Sequence, residues 1–164
     1  MKDFLKRKLI EPLLALLKQG VSPDSLALCV AVGVAIGLIP VLGVSTLLAT
    51  AVALLFKLNL PAIQVAQMSM SAFQLLLIVP FVRLGEWITR AAAQPVSISA
   101  GLALMKQGVW HTVVVLKDAI IHASIAWIAV APIGILILYR SLKPVFERTA
   151  KALPDAKTAT TSLT

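Results

Sequence analysis

The sequence predicts an all-α integral membrane protein. Three observations carry that prediction. Leu26 to Phe56 runs 31 residues without a charged side chain. Hydrophobic residues make up 59% of the chain and charged residues 13%, against roughly 45–50% and 25% in soluble domains. The cations flank the apolar segments: Lys2, Lys6, Arg7, Lys8 and Lys18 at one end, Arg140, Lys143, Arg148, Lys151 and Lys157 at the other. A chain of 164 residues has too little interior to hide such a run. A bilayer hides it readily, since about 20 apolar residues span it as a helix.

Residues 1–20 are expected to form an amphipathic interfacial helix. Leu5, Leu9, Leu13 and Leu17 share a stripe that the lysines avoid. Such a helix lies in the headgroup plane or packs on the cytoplasmic face of its own bundle. The membrane domain covers 21–140. It opens with Ser22 as N-cap and Pro23 at the first helical position. One limb runs to Ile39, Pro40-Val41-Leu42-Gly43 is the turn, and a second limb runs to Phe56. Each limb of this 23–56 hairpin spans roughly 20–25 Å, short of the ~30 Å hydrocarbon core. The hairpin is therefore re-entrant or a pair of helices that barely cross, and its tip needs protein or water around it. Gly33 and Gly37, the alanine row Ala27, Ala31 and Ala35, and the row Ser45, Ala49 and Ala53 suit close packing of the two limbs.

After a break at Lys57–Pro61, residues 61–81 are read as a crossing without charge. Arg83, Glu86 and Arg90 follow at the far interface. Residues 91–117 form an outer surface segment, and 119–139 a second crossing, with a kink expected at Pro132 and Gly134. Residues 141–164 read as a basic, partly disordered tail. The richest Lys/Arg clusters then fall on the cytoplasmic side, with both termini inside.

The stretch Ser22-Pro23-Asp24-Ser25-Leu26-Ala27, the core Gly33-x-x-x-Gly37-x-x-Pro40-x-x-Gly43, the step Leu58-Asn59-Leu60-Pro61-Ala62, then Gln74 and Pro80-Phe81-Val82-Arg83-Leu84-Gly85-Glu86 resemble a bacterial membrane family, domain of unknown function 2062. The resemblance covers about residues 20–140. It implies an inner-membrane location and no established activity. Many members carry an Asn-Pro pair inside the next helix, where this chain reads Met68-Ser69-Met70-Ser71-Ala72-Phe73.

Gln64, Gln67, Ser71 and Gln74 follow a 3-4-3 spacing that puts them on one helix face. Polar side chains at bilayer depth need a partner, a cavity or a ligand. The stripe either bonds between helices, satisfying carbonyls of the hairpin tip, or lines a substrate path. Arg83, Glu86 and Arg90 read as a solvated ion network or a lipid head-group contact. Asp118 and His122 are spaced for a side-chain pair. Trp87, Trp110 and Tyr139 suit an interfacial belt, and Trp127 does not.

The net charge of +8 invites a nucleic-acid partner, but the cations are not interleaved with aromatics and none is expected. The single Cys29 excludes an intrachain disulfide and reads as a small buried hydrophobe. The first 20 residues are too charged and interrupted for a signal peptide. Two histidines, one cysteine and scattered carboxylates give no metal site. No catalytic constellation or nucleotide fingerprint occurs, so neither enzyme activity nor a cofactor is expected. Membrane lipids are the expected partners, with a homodimer suggested by the small size. The first functional reading is a carrier or flippase for a lipid or lipid-linked anion. The alternative is a non-catalytic scaffold or assembly factor acting through helix packing.

Overall fold

A computed structural model describes residues 11–41, 44–93, 97, 99, 103–104 and 106–152. These form seven helices and no strand: α1 (Glu11–Lys18), α2 (Pro23–Gly37), α3 (Ser45–Phe56), α4 (Leu60–Ser69), α5 (Ser71–Thr89), α6 (Val109–Val115) and α7 (Lys117–Ala152).

The helix starts follow local chemistry. The Ser22 hydroxyl accepts from the Ser25 N–H at 3.2 Å, with Pro23 opening α2. Asn59 caps α4 the same way, its Oδ1 accepting from the Ala62 N–H at 3.0 Å. Each cap supplies an acceptor to an amide with no helical partner. Lys57, at φ 52, ends α3 in the left-handed conformation.

Register fixes the topology. A Cβ added at Gly33 would fall 2.5 Å from the Ile63 carbonyl oxygen, and one at Gly37 would fall 2.7 Å from that of Gln67. Cys29 Sγ accepts from the Asn59 N–H at 3.3 Å. The pairs 29–59, 33–63 and 37–67 advance together, so α2 and α4 run parallel with their backbones nearly touching. The glycine pair therefore serves the α2–α4 seam, not the hairpin. This departs from the expected limb-on-limb packing. α3 packs mainly on α4, burying its small row Ser45, Ala49 and Ala53.

α7 is antiparallel to both α2 and α5. Tyr139 donates to Asp24 Oδ1 at 2.7 Å and Lys143 Nζ lies 2.6 Å from the same oxygen, at the start of α2. Trp127 meets the end of α2 at Ala35. Farther up, Gly85 of α5 lies against the His122 backbone so closely that a Cβ would run into its carbonyl. The result is two tiers. Leu26, Cys29, Val30 and Ile36 of α2, Ile63 of α4 and the alanines Ala49, Ala53, Ala62 and Ala66 of α3 and α4 form the lower core, with Leu13 and Leu17 of α1 and partly buried Leu142 and Phe146 of α7. Val82, Ala119 and Ala123 form the upper one.

Two expected segments are redrawn. The 61–81 crossing is not one helix: α4 ends at Ser69, Met70 is the junction, and α5 continues through Pro80 to Thr89. The second crossing is not confined to 119–139. α7 runs 36 residues to Ala152, so 141–152 is helix on the core, not tail. The described part of the N-terminal helix buries Leu13 and Leu17 against the bundle, the contact that the bundle-packing alternative expects. Residues 1–10, most of 94–105 and 153–164 lie outside the described residues.

Gly33→Leu is expected to force α2 from α4 and destabilise the protein by about 3 kcal/mol or more, beyond ordinary overpacking. Gly134→Ala, where nothing lies within 4 Å, is expected to be neutral or to stabilise by up to about 1 kcal/mol through helix propensity. Equilibrium unfolding of the purified variants separates the two.

Candidate functional site

Two helix breaks meet inside the bundle. α2 ends at Gly37 and α3 starts at Ser45; α4 ends at Ser69 and α5 starts at Ser71. They lie at one level, because Gly37 faces Gln67 and Met70 while Gln74 reaches Ile39. The last carbonyls of a helix lack intrahelical partners, and buried ones must find others. Side chains from three helices donate into this region, two of them to carbonyls and one to a hydroxyl. Gln74 Nε2 donates to the Ile39 carbonyl at 2.7 Å. Trp127 Nε1 donates to the Ala35 carbonyl at 2.8 Å. Gln67 Nε2 donates to Thr46 Oγ1, in the first turn of α3, at 3.3 Å.

The four stripe residues separate by role. Gln67 and Gln74 are buried at 8% and 7% exposure and turn toward the tip. Gln64 is half-buried and outside this network. Ser71 is exposed and donates to the Met68 carbonyl at 2.9 Å, inside the α4–α5 junction. The even 3-4-3 face assumed a continuous helix, and the break at Met70 divides it. Pro40 is buried at the tip, while Leu42 and Gly43 lie outside the described residues. Among the described residues, Gln67 Oε1 is buried without a partner. Exchanging the amide ends would leave the nitrogen unpaired instead, so one end stays open either way. α3 begins beside it with no side-chain cap.

Thr46 and Trp127 were missed by sequence reasoning. Trp127 left a signal as the tryptophan that did not fit an interfacial belt. Thr46 left none, because its role depends on the α3–α4 contact.

At the far end of α5, Arg83 Nη1 lies 2.9 Å from Glu86 Oε2, with the Glu86 side chain 5% exposed. Arg90 is exposed and caps the helix at φ 55. The trio is thus a half-buried pair plus a separate arginine. Glu86, Trp87, Ile88, Arg90 and Ala91 line an open cleft of about 630 Å³. Asp118 is exposed and no bond joins it to His122 among the described residues; His122 Nδ1 is buried without a partner. No group of three or more His, Cys, Asp or Glu side chains suited to a metal occurs among the described residues.

Gln74→Leu should strand the Ile39 carbonyl and cost about 1–3 kcal/mol, whereas Gln67→Leu, which removes an unsatisfied amide, should stay within about 1 kcal/mol of wild type. Equilibrium unfolding of both variants checks the ordering.

No curated protein and no solved structure matches the chain. The model of one bacterial family, described as "Uncharacterized protein conserved in bacteria (DUF2062)", matches residues 6–152, nearly the whole chain, and the protein belongs to that family.

Proposed function

We propose that this chain is a multi-pass protein of the bacterial inner membrane and a small carrier for a lipid or lipid-linked anion. The membrane placement is supported by an inverted surface. α5 and α7 are long and apolar enough to cross a bilayer, yet only 22% and 17% of their most apolar windows are buried. A core helix of a soluble protein would be mostly covered. Leu47, Leu54, Leu55 and Phe56 on α3 and Ile128, Ile133, Leu136 and Ile137 on α7 also face outward. Apolar surface of this extent is rare on soluble monomers. The cationic flanks favour cytoplasmic termini.

The carrier reading rests on one observation: both helix breaks meet at one level, and among the described residues the buried Gln67 amide between them keeps one end unpaired. Discontinuous helices at membrane depth are where carriers hold substrate. The path would run past Gln67 and Thr46, with Gln74 and Trp127 as fixed supports. The scaffold reading has its own support, since Gln74 and Trp127 are already committed to internal bonds.

Proteoliposomes carrying a trace of fluorescent phosphatidylglycerol, bleached from outside with dithionite, test the carrier. Wild type is expected to let both leaflets bleach, and Gln67→Leu to insert and fold normally while only the outer leaflet bleaches. If wild type also leaves the inner leaflet fluorescent, the carrier reading is wrong and the scaffold reading takes its place.

A further inference from the structure

We propose that the start of α3 binds a singly charged oxyanion carried by a lipid, held by helix N–H groups, the Thr46 hydroxyl and the Gln67 amide. The inference deepens the carrier reading by naming the group its path accepts, and it rests on that reading's account of the helix breaks.

The start of α3 leaves donors open. No side chain caps it, and its backbone bonds begin with the Leu48 N–H on the Val44 carbonyl at 3.0 Å. The N–H groups of Ser45, Thr46 and Leu47 therefore have no partner among the described residues. The starts of α2 and α4 are closed by Ser22 and Asn59. An uncapped start combines free N–H donors with the positive end of the helix dipole, which draws an anion.

Gln67 is the independent second observation. It is 8% exposed, and its Nε2 donates to Thr46 Oγ1 in the first turn of α3 at 3.3 Å. Its Oε1 is buried and unpaired among the described residues. With the amide ends exchanged, the Thr46 hydroxyl donates to Oε1 and both Nε2 hydrogens are open. That arrangement satisfies the oxygen and adds another donor beside the open N–H groups. A bound anion favours it. Half-helix N-termini at membrane depth are used in this way to hold anionic substrate groups.

The surroundings set the charge of the ligand. No charged side chain occurs from Leu26 to Phe56 or from Leu58 to Val82, stretches that hold all of α3 and α4. Lys57 lies at the opposite end of α3. The cost of desolvating an ion rises with the square of its charge, so a dianion costs roughly four times as much as a monoanion. Neutral donors without a cation suit the monoanion. Val44 and Leu47, at 42% and 73% exposure, flank the site and offer an acyl chain an apolar surface. A phosphodiester or a carboxylate on a lipid meets these requirements, and a phosphomonoester dianion does not.

Native mass spectrometry of the detergent-solubilised full chain tests the site at about pH 9, far above a phosphomonoester second pKa of ~6. Dihexanoyl phosphatidylglycerol is expected to bind about tenfold more tightly than dihexanoyl phosphatidic acid, and Gln67→Leu to lose about tenfold of that affinity, the scale of one hydrogen bond to a charged group. Thr46→Val, at an exposed position, is expected to lose a smaller factor and carries the test should Gln67→Leu misfold. Equal binding of the two lipids by wild type, or unchanged phosphatidylglycerol affinity in these variants, overturns the proposal. Octanoate separates the two sources: binding as tight as that of phosphatidylglycerol makes the group a carboxylate, and weaker binding makes it a phosphodiester. Tail-less glycerophosphoglycerol binding as tightly as the lipid overturns the lipid assignment. Selective binding together with a protected inner leaflet in the dithionite assay keeps the site and rejects the carrier; bleaching of both leaflets together with unselective binding does the reverse.

Discussion

Helix ends buried inside a bundle leave carbonyls that must be paired, and the architecture is organised around that requirement. Stopping α2 at Gly37 places its last carbonyls inside the molecule. Gln74 from α5 donates to the Ile39 carbonyl just beyond it, and Trp127 from α7 adds a donor to the Ala35 carbonyl, which also accepts from the Leu38 N–H. Each donor is effective only if its helix passes the tip at the right height. The break in α2–α3 thus constrains where α4, α5 and α7 can lie. An unpaired carbonyl in such a place costs about 1–3 kcal/mol, a large share of marginal stability.

Close approach of backbones supplies the rest. Gly33 and Gly37 bring α2 onto α4, and Gly85 brings α5 onto α7 at His122. Side chains larger than hydrogen at these points would hold the helices apart and pull the polar donors out of reach. In a bilayer, where lipid is as apolar as leucine, such contacts and internal hydrogen bonds replace hydrophobic burial as the source of cohesion. α7 ties the two tiers into one body, held to Asp24 near its C-terminal end, to Ala35 in its middle and to Gly85 near its start. Among the described residues Gln67 Oε1 and His122 Nδ1 are the buried side-chain atoms without a partner, and Gln67, between the two helix breaks, is the centre of the carrier reading.

Much of the local structure was readable in the sequence because its causes are local. Ser22 with Pro23 is a capping signature and starts α2 where expected, and the break at Lys57–Pro61 is followed by a helix as expected, with Asn59 as its cap. The Pro40 break and the polar spacing Gln67 to Gln74 marked the tip and the side chains that serve it. Other features had no local cause. Met68-Ser69-Met70-Ser71 contains neither proline nor glycine, yet the helix breaks at Met70. Small residues Ser45, Ala49 and Ala53 advertise close packing without naming the partner. Thr46 and Trp127 act only through contacts 21 and 92 residues distant in sequence.

By itself the sequence determined the helical class, the apolar segments, the caps and the central break, because periodicity, capping and proline geometry act within a few residues. The tertiary structure decided that α2 pairs with α4 and α7 instead of its hairpin partner, that the glutamine stripe divides at Met70, that 141–152 belongs to α7, and that Glu86 is buried while Arg90 is not. These outcomes depend on which backbones touch, and a stripe of small or polar residues carries no record of the surface it will meet.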